Sequence, residues 1–149
     1  RQAQLCRKGA ISLTEGEDKK PININLKKVT YITEEAAYWR KANAIHKWFV
    51  DEVQDGNDNC GSYYVSRKQL QTLVDLCKKI KEMAVLDTDG TITNAEKVEE
   101  LLPSQGGFFF GSTEYDEYYM QDIENTIEQL EPLLIEDSCG AEFEYSSSW

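Results

Sequence analysis

Positive charge is missing from the last third of this chain. All 16 Lys and Arg lie at or before Lys97, whereas residues 98–149 hold 13 Asp and Glu and no base, so the two parts carry formal charges of +2 and -13. An acid-only stretch repels nucleic-acid phosphates and anionic lipid, and it favours a basic partner or a cation. Direct binding of nucleic acid is therefore not expected. Long apolar runs are also absent. No segment approaches the roughly 18 apolar residues that a membrane-crossing helix needs. The opening RQAQLCRKGA lacks the apolar core of a secretory signal. Together these absences predict a cytoplasmic protein with no membrane association. A start on Arg1 rather than methionine points to a trimmed or renumbered N-terminus, and residues 1–20 are expected to be flexible or partly trimmed.

Metal-binding residues are scarce as well. The four cysteines, Cys6, Cys60, Cys77 and Cys139, form no CxxC, and one histidine is too few to complete a zinc site around them. Reduced thiols are expected, because a chain of 149 residues can bury a core without disulfide staples. No metal and no organic cofactor is implied. Internal repeats and low-complexity linkers are absent too, which predicts a single domain over 1–149.

Around these absences stands one dense stretch, Thr33–Gln54, with two of the three tryptophans and the only histidine. At 3.6 residues per turn Tyr38, Ala42, Ile45 and Phe49 form one stripe, and Trp39, Asn43, His46 and Val50 a second. Thr33 supplies a capping hydroxyl, Glu34 and Glu35 favour the helix dipole, and Gly56 can stop the chain. The spacing predicts a buried central helix over 33–54. Ile22, Ile24 and Leu26 alternate with polar residues after Pro21 and read as a strand, as does the segment around Ala10–Leu13. Tyr63–Val65 is a further short strand. Ser66 with Gln69 forms a capping box ahead of a helix over 67–84, and Thr93 with Glu96 repeats the pattern ahead of a shorter one ended by Pro103. Residues 108–112, FFFGS, suggest a buried strand or plug. A last helix is expected from Ser112 or Thr113 to Ile135, facing inward through Tyr119, Ile123, Ile127, Leu130 and Leu134. Phe143 and Tyr145 alternate with Glu142 and Glu144 in a closing strand, with the final SSSW frayed. The expected fold class is α+β: about four helices around the central helix, with a small, mainly antiparallel sheet made from the chain ends and the FFF segment.

Few motifs here carry chemistry. VLDTDGTIT, residues 85–93, resembles the opening motif of the haloacid dehalogenase phosphatases, in which DxDGT follows an apolar strand. Such a hydrolase needs a doubly wound parallel sheet and a further lysine and acidic pair downstream, and no lysine follows Lys97. Asp87, Asp89 and Gly90 therefore read as an interhelical turn. A calcium loop fails on spacing. Histidine is the side chain whose unperturbed pKa lies near neutrality, but His46 has no serine or cysteine at helical spacing, so a hydrogen-bonded core residue is its plainer role. No catalytic residue is assigned. Two binding surfaces remain. Trp39, Arg40, Asn43 and His46 on the central helix, closed by Tyr63 and Tyr64, would line a pocket for a small planar ligand such as a nucleotide. Glu114, Asp116, Glu117, Tyr118, Asp122, Glu124 and Glu128 interleave acids with tyrosine and would contact a basic partner protein.

The segments YWRKANAIHKWFV, NCGSYYVS and LLPSQGGFFFGSTEYDEYY together resemble a family of small uncharacterised proteins encoded by phages and prophages. That resemblance implies no activity and no functional residue. It implies a context, the accessory gene of a virus acting in the host cytoplasm. The function expected on these grounds is non-enzymatic: inhibition or sequestration of a basic host factor, such as one that binds nucleic acid, through an acidic surface that mimics nucleic-acid charge. A nucleotide-sequestering protein is the first alternative and an unrecognised hydrolase the second.

Overall fold

A computed structural model of the chain describes residues 2–9, 25–106, 111–135 and 141–148. The fold is α+β. Among the described residues four strands, β1 (Gln2–Gly9), β2 (Ile32–Arg40), β3 (Tyr63–Val65) and β4 (Glu142–Ser148), form one antiparallel sheet in the order β2-β1-β4-β3. Four helices accompany it: α1 (Asn43–Glu52), α2 (Arg67–Met83), α3 (Ala95–Leu101) and α4 (Glu117–Ile135). The sheet draws on both ends of the chain, as expected, although the strand at Gln2–Gly9 was not among those expected; β1 and β4 are the inner strands and β2 and β3 the outer ones.

The expected helix over 33–54 is corrected by the structure. Its first half is β2, and only Asn43–Glu52 is helical. Burial in β2 has period two, with Ala37 and Trp39 inside and Tyr38 and Arg40 outside. The sheet face that receives them is formed by Leu5, Val65, Phe143 and Tyr145. Helix propensity in EEAA is worth only tenths of a kcal/mol per residue, and pairing with the eight-residue strand β1 outweighs it. Lys41, at φ +57°, then turns the chain out of the strand into α1. What survives of the expectation is the central position: α1 buries Asn43, Ala44, Ile45, His46, Trp48, Phe49 and Val50. Phe49 stacks on Tyr145 at 3.9 Å between centroids, and meets Trp48 at 5.1 Å and Trp39 at 5.6 Å.

The capping box of Ser66 and Gln69 is present, and α2 buries Leu70, Leu73, Val74, Cys77 and Ile80 as its periodicity requires. The second box is not formed. Thr93 donates to the carbonyl of Val85, and Asn94, at the helix start, bonds the backbone of Val85 and Met83 instead of capping α3. The last helix begins later than expected, at Glu117, because Asp116 accepts the N–H groups of Tyr118 and Tyr119 as a cap. Its inward face runs through Tyr119, Met120, Ile123, Thr126, Leu130 and Leu133, with Ile127 and Leu134 only half-buried. Leu26 lies in a 3-10 turn, Leu26–Lys28, rather than a strand. Ser146 to Ser148 do not fray but pair with Gln4 to Gln2. The expectations for 10–13, 22–24 and 108–110 fall outside the described residues.

α4 packs on α2 and on β2. Lys81 pairs with Glu124 at 3.1 Å and Lys78 with Glu131 at 2.5 Å across the α2–α4 seam. Part of the acid of the last third is thus neutralised by lysines from the middle of the chain.

Candidate functional site

The residues expected to line a planar-ligand pocket separate in the structure. Trp39 and His46 are each 4% exposed and belong to the core. The Trp39 indole donates to Thr126 Oγ1 at 2.9 Å. His46 lies between Tyr145, with Nδ1 to the hydroxyl at 2.5 Å, and Asp58, with Nε2 to Oδ1 at 3.0 Å. This Tyr–His–Asp chain ties β4, α1 and the loop after α1 together. Tyr145 is fully buried, so no substrate reaches its hydroxyl. Tyr64 is exposed, and Tyr63 donates to Asn59 at 3.1 Å. The ring-lined pocket is therefore not formed. Its corrected description is a hydrogen-bonded core.

Arg40 and Asn43 go elsewhere. They share a cleft of about 310 Å³ with Glu114, Asp116, Tyr118 and Asp122, so that members of both expected surfaces meet at one place. Lys41, Ala44, Ser104, Gly111, Ser112 and Gln121 complete its walls along with Tyr119. The strand-to-helix turn at Lys41 sets the first wall. Asn43 Nδ2 donates to the carbonyls of Gly111 and Ser112, both at 2.9 Å, which fastens the segment ahead of α4 onto this turn. A Cβ on Gly111 would stand 3.1 Å from the Lys41 carbonyl, so glycine permits the approach. Asn43 Oδ1 is buried with no hydrogen-bond partner among the described residues. The opposite wall is held by Tyr115, whose hydroxyl accepts the N–H of Ser104, and by Tyr119, whose hydroxyl donates to the Leu102 carbonyl at 2.9 Å. Burial drives the Tyr119 hydroxyl well above its ordinary pKa.

Asp122 is the chemically distinctive group of the cleft. Burial, with the charge of Asp116 adding to it, pushes its carboxyl up to about 6. Its carboxylate takes no hydrogen bond and no ion pair among the described residues. Asp116 is held differently, with one oxygen occupied by the start of α4. Arg40 and Lys41 face the same cleft, yet no ion pair forms there among the described residues, whereas Lys47, Lys78 and Lys81 each find a carboxylate elsewhere.

Neither a family model, nor a curated protein, nor a solved structure matches this chain.

A turn from the middle of the chain enlarges the acidic surface. Asp87 Oδ1 accepts the N–H groups of Asp89 and Thr91, both at 2.9 Å, and Gly90 takes φ +78°. These are the interhelical-turn roles expected of Asp87, Asp89 and Gly90. Thr91 bridges to Asp116, Ile92 donates to the Tyr115 carbonyl at 2.9 Å, and Gly90 lies against Glu117. Asp87, Asp89, Glu114, Asp116, Glu117 and Asp122 thus gather around the start of α4, and none is in an ion pair among the described residues. Sequence reading missed Asp87 and Asp89 here, because only the bridge through Thr91 brings them in. Of the remaining expected partner contacts, Tyr118 is 65% exposed on the cleft rim, Glu128 is exposed further along α4, and Glu124 is engaged by Lys81. No described group of three or more His, Cys, Asp or Glu is arranged to hold a metal.

Proposed function

We propose that the protein works by binding, and that its working surface is the acidic rim at the start of α4. The observation that carries this reading is that Glu114, Asp116 and Asp122 share a cleft with the exposed Tyr118, and Glu117 lies against the turn that bears Asp87 and Asp89, with none of these six carboxylates in an ion pair among the described residues, in a fold that neutralises other acids internally. Unpaired like charges repel one another, so the cluster costs stability, and a basic surface docking there would relieve it. The partner is a basic protein. In the phage-type context implied by the sequence resemblance it is a host factor, such as a nucleic-acid-binding protein, inhibited or sequestered in the host cytoplasm by a surface that imitates nucleic-acid charge. No described helix is long and apolar enough to cross a membrane.

The test is capture of basic proteins from bacterial lysate on the immobilised chain. Glu114→Lys and Glu117→Lys variants are compared with Glu82→Lys, a control on the exposed face of α2. Capture that weakens with salt and is lost in the first two variants alone is the expected result. Equal loss in all three would reduce the effect to net charge, and undiminished capture by the rim variants would remove the acidic rim as the working surface. Glu124→Lys is unsuitable here, because it would place a lysine beside Lys81 and disturb the α2–α4 seam.

A further inference from the structure

Opposite charges usually close on one another when a cleft lets them. Arg40 and Lys41 on one wall, and Asp116 and Asp122 on the other, do not, and the space between the walls measures about 310 Å³. The basic wall is fixed at the strand-to-helix turn by the left-handed Lys41 and by Asn43 bound to Gly111 and Ser112. The acidic wall is fixed by the cap that Asp116 makes on α4. Such a volume stands at the lower end of small-ligand sites, far above that of a metal ion and suited to one or two amino-acid residues. An apolar ligand is disfavoured by the charged lining, and a purely cationic or purely anionic one would leave one wall unanswered.

We propose that the cleft receives the C-terminal residue of a basic partner chain, with its α-carboxylate at Arg40 and Lys41 and its arginine or lysine side chain at Asp116 and Asp122. This inference rests on the binding reading above and names the part of the partner that enters. Tyr118, exposed at the rim, offers a ring face for a guanidinium or for the peptide that leads into the cleft. Asp122 is half-buried without a counter-ion, and an incoming cation replaces the one it lacks. The carboxylate in turn answers the basic wall. A terminal residue supplies both charges on one short frame, which an internal lysine or arginine does not.

The test uses the full chain and a fluorescein-labelled pentapeptide ending in arginine, followed by anisotropy. Three further probes are run beside it: the same peptide amidated at its C-terminus, the same peptide ending in norleucine, and free L-arginine as competitor. The expected result is that amidation or norleucine each weaken binding about tenfold, the usual worth of one charge-assisted hydrogen bond. Arg40→Ala should remove the preference for the free carboxylate, and Asp122→Asn the preference for arginine over norleucine. Arg40 is exposed, and Asp122→Asn keeps the side-chain shape, so both variants should fold, with a melting curve as the check. Equal binding of the acid and the amide would overturn the proposal while leaving a salt-sensitive acidic rim in place. No binding of any peptide, with lysate capture intact, would overturn the proposal alone. Loss of both would remove the acidic reading altogether. Competition by free L-arginine at the peptide's own affinity would show a free amino acid, not a chain end, as the ligand.

Discussion

At Asp122 a charge has been taken partly out of water without compensation, and its direction of titration fixes how stability must respond. Its carboxyl is raised to about 6, by burial first and by Asp116 second. A raised acid means that the folded state holds its proton more tightly than the unfolded one. The contribution is favourable below the unfolded value and is lost as pH rises through about 6. Asp122→Asn should therefore stabilise the protein at pH 7.5 by about 1 kcal/mol, after discounting for the solvent that still reaches the group, and by nothing measurable at pH 3.5. Urea titrations at the two pH values check this. A stabilisation equal at both would mean that packing, and not charge, is responsible. Trp39 presents the opposite case. Its ring lies against Phe49 and Tyr145 and its N–H is satisfied by Thr126. Trp39→Ala should cost about 3–5 kcal/mol in the same titration, the range for deleting a large buried aromatic. A loss below about 0.5 kcal/mol would place the ring outside the core.

Among the elements, β2 is one of the two edge strands of the sheet, and its outer face is polar. One side chain closes it. Gln129 of α4 accepts the N–H of Tyr38 at 2.8 Å and donates to its carbonyl at 3.1 Å, in the manner of a neighbouring strand. An open strand edge is a template for pairing with another chain. Gln129→Ala should lower stability by about 1 kcal/mol and raise self-association, read by sedimentation at increasing concentration. A strictly monomeric variant of unchanged stability would show that the side-chain bridge does not matter. The same region shows how far the sequence could be read. α2 was legible because its cap, its apolar spacing and its polar face all agree within one segment, and Tyr63–Val65 was legible as a short strand. The stretch over 32–40 was not. Its helical spacing is real, but β1 and Gln129 decide it from 23 to 91 residues away, and period two is visible only in Ala37–Arg40. The start of α4 was misplaced for a smaller reason. Ser112, Thr113 and Asp116 are all competent caps, and only Asp116 has its oxygen on the two N–H groups that follow. The site was half legible. Arg40, Asn43, Glu114, Asp116, Tyr118 and Asp122 were all named, but on two separate surfaces, since their meeting depends on the Asn43 bonds to 111 and 112.

Over the whole molecule the charge of -11 is less informative than where it stands after folding. Sequence order sets a near-neutral part against an acidic one, but α2 and α4 lie side by side, and the lysines of the first part reach Glu124 and Glu131 of the second. Around the start of α4, with the turn at 87–90 beside it, six acids stand without an ion pair among the described residues. Two substitutions that change net charge equally should therefore act in opposite directions. Glu124→Lys removes the partner of Lys81 and sets two lysines together across the seam, so the melting temperature should fall by about 1–2 °C in 50 mM salt. Glu114→Lys removes an acid from an exposed segment beside Asp116 and Asp122, with Arg40 and Lys41 lining the same cleft, so the melting temperature should hold or rise by a similar amount. Both differences should shrink in 0.5 M salt, where the Debye length falls to a few ångströms. Thermal melts of the two variants at the two salt concentrations decide the matter. If both variants raised the melting temperature alike, only net charge would count, and the acidic rim would be no more than the average surface of an acidic protein. If Glu114→Lys alone raised it, with the gain lost in salt, the strain at the start of α4 would be real and available for a basic partner to relieve.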